Sequence, residues 1–204
     1  SLNSPAELVI RVNTLKLTVP KLKSILEKKY KIVSHRIPDY PNALLIEKKQ
    51  PLHQLAEYRN GYFEVQDANS QKIVPWLNPE ANQLYVDTCA GAGGKTLHLA
   101  NLMENKGQII AMDIYEGKLK ELKRRAKRAG AHNIETRVID TTKVFKKLYG
   151  KADRVLIDAP CTGLGTIKRS PDLKWKLQPD FVQTVIDRQA ELLQSYSKIV
   201  KPGG

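Results

Sequence analysis

Four apolar segments, each stopping at or beside an aspartate and separated by helical stretches, constrain this chain more than any other feature. Leu84–Thr88, Gln108–Asp113, Glu135–Ile139 and Arg154–Asp158 read as strands carrying Asp87, Asp113, Asp140 and Asp158 at their carboxyl ends. Between and after them, Lys95–Met103, Lys118–Ala129 and Pro179–Val200 read as helices, with another expected around Gln71–Leu77. Strands alternating with helices predict a parallel, doubly wound α/β sheet. Ligands of such sheets bind beyond the carboxyl ends of the strands, near the switch point. The four aspartates are therefore candidates for one site.

The first third reads differently. Leu8–Leu15 alternates as a strand does, Thr18 is a candidate N-cap, and Pro20 suits the first turn of a helix running to Tyr30. Lys31–Ile37 and Ala43–Glu47 read as strands flanking a turn of Pro38, Asp39, Pro41 and Asn42. A short helix at His53–Tyr58 and a strand at Tyr62–Gln66 complete a β-α-β-β-α-β order, the split βαβ arrangement. The expected organisation is a small α+β domain over residues 1–66, a scaffold used for RNA contact and for much else, and a second domain over 67–204. No apolar run is long enough to span a bilayer.

Lys and Arg number 34 against 21 Asp and Glu, a net of +13, which favours a polyanionic partner through counterion release. The two cysteines, Cys89 and Cys161, make neither a disulfide framework nor a zinc spacing.

The turn after the first long-sheet strand reads Asp87-Thr88-Cys89-Ala90-Gly91-Ala92-Gly93-Gly94-Lys95-Thr96. A triphosphate loop wants a glycine where Cys89 stands, and a dinucleotide loop wants one where Thr96 stands. S-adenosylmethionine carries no phosphate and needs neither. Its ribose wants an acid after the second strand, and Asp113 lies 20 residues beyond Gly93. Nicotinamide dinucleotides would use the same acid, so the fourth strand decides. There Asp158-Ala159-Pro160-Cys161 puts an acid and a thiol on one turn, the residue types that methylation of a pyrimidine at carbon 5 requires. A thiolate added to carbon 6 makes carbon 5 nucleophilic, and a base must later remove the carbon-5 proton.

Here the chain resembles the RNA 5-methylcytosine methyltransferases of ribosomal and transfer RNA. The resemblance rests on Arg11-Val12-Asn13-Thr14-Leu15-Lys16, on Phe63–Gln71, on Cys89–Thr96 and on Asp158–Thr166, then on Arg169-Ser170-Pro171-Asp172 and Lys201-Pro202-Gly203-Gly204. It implies a Rossmann-type S-adenosylmethionine methyltransferase fold, with Cys89, Ala90, Gly91, Ala92, Gly93, Gly94 and Lys95 along the methionine side. By the same resemblance Asp113 holds the ribose, Asp140 lies near the adenine, and Asp158 touches the cofactor or the base with Lys95 assisting. The substrate implied is a cytosine in RNA, ribosomal rather than transfer, contacted by the N-terminal part. A cytoplasmic monomer without a metal is expected. Two departures stand out. The family's Cys-Ala-Ala-Pro loop reads Cys89-Ala90-Gly91-Ala92 here. The family's attacking cysteine also comes from a Thr-Cys motif after Lys-Pro-Gly-Gly, which predicts that the chain is a C-terminally truncated piece, binding cofactor without turnover. Cys161 would then release product, although related DNA methylases attack through this cysteine. An RNA-binding protein retaining the cofactor fold without catalysis is the alternative. An amino-group methylase would show Asn/Asp-Pro-Pro-Tyr on the fourth strand, against the Asp-Ala-Pro-Cys here.

Other residues have plainer readings. Lys118, Lys120, Lys123, Arg124, Arg125, Lys127 and Arg128 predict a solvated helix face, with RNA-backbone contact as the alternative. Lys168, Arg169, Lys174 and Lys176 are the better candidates for phosphate contact. Cys89 is expected buried in a tight turn, Asp87 behind the glycine loop, Trp76 packed, and Asp172 capping the turn after Pro171. His35, His53, His98 and His132 are expected to be structural or surface residues.

Overall fold

A computed structural model describes residues 6–167, 172, 175 and 179–204. Lys168, Arg169, Lys174 and Lys176, and the Arg169-Ser170-Pro171 stretch, lie outside the described residues.

The N-terminal part forms a four-stranded antiparallel sheet from β1 (Leu8–Val12), β2 (Ser34–Ile37), β3 (Tyr40–Ile46) and β4 (Phe63–Val65), in the order β2-β3-β1-β4. β3 is inserted between β1 and β2, which is the split βαβ topology expected from the order of elements. Helix α1 (Val19–Tyr30) buries Val19, Leu22 and Leu26 with Ile10, Val12, Leu44, Ile46 and Phe63. Each such side chain contributes roughly 1.5–3 kcal/mol. Thr18 stands at the N-cap but its side chain caps nothing. Pro41 and Asn42 belong to β3 and not to the turn, because the hairpin closes over Pro38 and Asp39 alone, with Asp39 at φ 65°. Helix α2 is a single turn (Ala56–Arg59) after a 3-10 turn at Leu52–Gln54.

The second sheet is parallel, with β5 (Leu84–Asp87), β6 (Gln108–Asp113), β7 (Ile134–Val138) and β8 (Arg154–Leu156) in the order β7-β6-β5-β8. The order reverses at β5, and the glycine turn leaves from that strand. Alternate residues supply two cores. Tyr85, Ile109 and Ala111 pack with α4 (Gly94–Leu102) and α5 (Glu116–Ala129); Val86, Ile110 and Met112 pack with Phe145, Leu148, Leu192 and Tyr196. The last four groups come from α6 (Lys143–Lys146), its following turn and α7 (Pro179–Tyr196), which continues into a 3-10 turn at Ser197–Ile199. Helix α6 is too short to leave a periodicity in the sequence. Beyond it, Val200 lies parallel to Ala152 in an isolated bridge.

Helix α3 (Ala68–Trp76) joins the two parts. It is capped by Asp67, which accepts from the Asn69 and Ser70 amides, and it touches β1, β3 and α4. Trp76, expected to be packed, is 78% exposed. The buried face of α3 runs through Gln71 and Val74, and Trp76 follows two positions later, off that face. Among the described residues, no helix is long and apolar enough to cross a membrane.

Candidate active site

The glycine turn is shaped from both sides. Gly93 has φ 88°, and a Cβ there would come within 2.6 Å of Leu122 Cγ on α5, so this glycine permits close packing against the helix. Gly91 has φ 54°, and a Cβ there would meet nothing within 4 Å. It faces open cleft, as a backbone passing close to a ligand should.

Three adjoining recesses run along the carboxyl ends of the strands. The largest, about 700 Å³, is lined by Cys89, Ala90, Gly91, Ala92, Gly94, Lys95, Asp87 and Asp158, and by Lys49, Gln66, Asp67 and Ser70 from the N-terminal side. The second, about 230 Å³, shares Cys89, Gly91 and Asp158 and adds Asp113, Tyr115, Pro160 and Arg188. The third, about 300 Å³, is bordered by Ile114, Ile139, Asp140 and Arg188. All the sequence-predicted cofactor residues except Gly93 therefore border one continuous cleft, and Gly93 turns toward α5.

Asp113 is buried and already employed. Its Oδ2 accepts from the Gly91 amide at 2.8 Å and its Oδ1 from the Tyr115 amide at 2.9 Å. Each carboxylate oxygen keeps a further lone-pair site. Asp113 thus fixes the glycine turn and can still accept from a diol. Asp140 is exposed at the end of β7. Asp158 is half-exposed, and Lys95 Nζ donates to its Oδ2 at 2.5 Å. This pair crosses the cleft floor from the start of α4 to the end of β8.

Asp87 is fully enclosed. Thr96 Oγ1 donates to its Oδ2 at 2.7 Å, and the Cys89 backbone also favours its charged form. Burial, reinforced by nearby Asp158, pushes its pKa up to about 7 against the Thr96 hydrogen bond. A carboxyl raised in the fold destabilises it as pH climbs from the unfolded pKa near 4 to about 7, because only the unfolded chain ionises freely in that window. The stability difference between wild type and Asp87→Asn is expected to shift in the variant's favour between pH 4 and 7, and then to level off. Paired thermal melts across that range check it; a pH-independent difference would refute it.

Cys89 is half-buried, and burial first, then neighbouring carboxylates, push its thiol up to about 11. A thiol so poorly ionised cannot serve as nucleophile. Cys161 is exposed, one residue past Pro160, whose carbonyl accepts from Gln189 Nε2 of α7 at 2.8 Å. Of the two cysteines, Cys161 is exposed, while Cys89 is half-buried in the wall of the cleft.

Arg11, Asn13, Lys16 and Glu64 lie in motifs that carry the resemblance, but the sequence did not show that they fasten the N-terminal sheet to this cleft. Arg11 and Glu64 are register partners on β1 and β4, both buried. Arg11 donates to the Gly94 carbonyl at 2.8 Å and to Gln66 Oε1. Glu64 bridges Arg125 at 2.9 Å and Arg128 at 2.5 Å, and Arg125 reaches on to the Ala92 carbonyl at 2.6 Å. Burial lowers the Arg11 guanidinium to about 9, with Glu64 opposing, so it remains charged at neutral pH. Asn13 Nδ2 donates to the Gly61 and Ala129 carbonyls, and Lys16 Nζ caps the Arg128 carbonyl. Arg125 and Arg128 are thus neither a solvated face nor a free RNA contact. Helix α5 turns them inward on the stripe that also buries Leu122 and Ala129. The available signal was a cross-strand Arg–Glu pair in otherwise apolar strands.

The family model described as 16S rRNA methyltransferase RsmB/F matches residues 74–204. The chain is similar to a probable ribosomal RNA small subunit methyltransferase B of Synechocystis sp., at 34% identity over 99% of this chain and 46% of that one. Among solved structures it is similar to PH0851, with TM-score 0.94 and 36% identity over 100% of this chain and 46% of that one. It is also similar to a methyltransferase homolog protein from Pyrococcus horikoshii, with TM-score 0.86 and 30% identity over 100% of this chain and 64% of that one. The chain spans between a third and about half the length of the curated relatives it matches. With the match running through both halves of the cleft, this chain belongs to the 16S rRNA methyltransferase RsmB/F family.

Proposed function

We propose that the chain carries the cofactor- and base-binding core of an enzyme that methylates carbon 5 of a cytosine in RNA, ribosomal RNA in first place, in the cytoplasm. The observation that carries this reading is the Lys95–Asp158 pair, open on the cleft floor where the glycine turn meets the Asp-Ala-Pro-Cys turn. S-adenosylmethionine is the cofactor, and it supplies an electrophilic methyl group. The residues present fit it: Gly91 leaves room for its amino-acid end, Asp113 can still accept from its ribose, and Asp140 and Arg188 border space for its adenine.

Asp158, steadied by Lys95, accepts from the cytosine amino group and orients the ring. An attacking thiolate would form a bond to carbon 6; carbon 5 would then take the methyl as its bond to the sulfonium sulfur breaks, leaving S-adenosylhomocysteine, and would lose its proton to a base as the carbon–sulfur bond of the adduct breaks to free the thiolate. Cys161, exposed just past the Asp-Ala-Pro turn, is our candidate to act on the adduct, in attack or in release. Residues 1–66 serve as a separate RNA-contacting domain against the methyltransferase core, and the target base is unstacked to reach the cleft.

The test is twofold. Calorimetry is expected to detect S-adenosylmethionine binding that Gly91→Val abolishes while the fold, followed by circular dichroism, persists. Labelled-methyl transfer by the whole enzyme is expected to give 5-methylcytosine on nucleoside analysis. Absence of cofactor binding, or a methyl found on another atom, would overturn the reading.

A further inference from the structure

A second recess, about 300 Å³, lies outside the cofactor cleft between α3, α4 and the β2–β3 hairpin. That volume is at the lower end of small-ligand pockets, roughly 300–1,000 Å³. Its walls are Trp76, Tyr40, Pro41 and Pro75, with Lys72 beside them and His98 lining it from α4. The Tyr40 ring is held in place: its hydroxyl donates to Asn69 Oδ1 at 3.0 Å, and the Lys72 ammonium sits 4.6 Å from its centroid. The Trp76 indole, by contrast, is left 78% exposed. His98 is buried, and its Nδ1 has no hydrogen-bond partner. Burial and the charge of Arg11 keep that imidazole neutral. A free aromatic face, a neutral hydrogen-bonding ring and a cation are what a planar heteroaromatic base with a phosphate attached would use. Arg36 lines the adjoining hollow, which shares Tyr40 with this recess and adds a second cation; Asp39 is the acid at the same rim.

The recess is aligned with the cleft. Helices α3 and α4 both begin at the cleft, with Asp67 and Ser70 on one and Gly94 and Lys95 on the other. Both reach the recess further along, through Pro75 and Trp76 and through His98 and Leu102. The nine steps from Asp67 to Trp76 span about 14 Å at 1.5 Å per residue. One RNA strand can bridge that distance within a few nucleotides.

We propose that this recess receives an unpaired nucleobase flanking the target, stacked on Trp76, with Lys72 and Arg36 meeting the neighbouring phosphates. The inference rests on the proposed RNA substrate. Its test uses the protein carrying Trp175→Phe, which leaves Trp76 as the only tryptophan. A single-stranded oligoribonucleotide is titrated, with tryptophan quenching and the anisotropy of a labelled strand read in parallel. Quenching should saturate with anisotropy. Trp76→Ala should weaken RNA binding roughly tenfold, as loss of one base–aromatic stack does. Trp76→Phe should restore most of it, and the calorimetric affinity for S-adenosylmethionine should not change. RNA binding in Trp76→Ala within twofold of the parent, or anisotropy that rises without quenching, overturns this site alone. A parent protein that binds cofactor but no RNA overturns both this site and the proposed substrate.

Discussion

Glu64→Gln is expected to lower the unfolding free energy by about 3–5 kcal/mol, the loss typical when one member of a buried ion-pair group is removed. Glu64 and Arg11 are buried, and the side chains of Arg125 and Arg128 are only 15% and 14% exposed; Glu64 neutralises those two through direct contacts and Arg11 through its field. Glutamine keeps the shape and part of the hydrogen bonding but removes the only negative charge these contacts supply. In a chain of this size the loss corresponds to a fall of about 10 °C in Tm. Glu121→Gln is the control. Its partner Arg124 is 73% exposed, and such pairs are worth about 0.2–1 kcal/mol. Urea unfolding of the two variants side by side checks the contrast. Equal effects would mean that the three arginines find water instead of depending on Glu64.

Asp158→Asn is expected to slow methyl transfer by roughly 10²–10⁴-fold, the range for a side chain positioned on a reacting group. Cofactor affinity should change far less, because in the proposed arrangement Gly91, Asp113 and Asp140 would hold the cofactor without it. The acid stands half-exposed at the end of β8 with Lys95 Nζ at 2.5 Å. Asparagine would keep the size but present an amide nitrogen to that ammonium in one of its two orientations. Single-turnover labelled-methyl transfer by the whole enzyme, with calorimetry of S-adenosylmethionine, separates the two effects. A rate within tenfold of wild type would remove Asp158 from the reacting centre.

The parts of this molecule legible in the sequence are those governed by short-range periodicity. Strands β5, β6 and β8 each stop at or shortly before an aspartate that the alternation of apolar residues already isolates, and Gln108–Asp113 agrees with the observed strand at both ends. The β-α-β-β-α-β order likewise sufficed for the sheet topology, because β1 and β4 offer their partners only one apolar face. What stayed illegible depends on groups distant in sequence. Gly91 and Gly93 look alike in the motif, yet one borders the cleft and the other is pressed against Leu122, a residue nearly thirty positions away. Arg125 and Arg128 look like their solvated neighbours until Glu64 arrives from another sheet. Pro41 reads as a turn residue, but the hairpin closes before it. Trp76 would be assigned to a core by its size, but the helix reaches its end with that side chain off the packed stripe.

The knot of Arg11, Glu64 and Arg125 also has a bearing on how the two sheets behave as mechanical parts. Two of its members grip carbonyls of the glycine turn itself, at Ala92 and Gly94. A swivel of the N-terminal sheet would therefore drag on the backbone of the glycine turn and part charges that are costly to leave unpaired away from water. In the proposed enzyme, an RNA strand pulling on that sheet would be felt at the methyl donor with no intervening hinge, so that grip on the substrate and alignment of the reacting groups would become a single mechanical event.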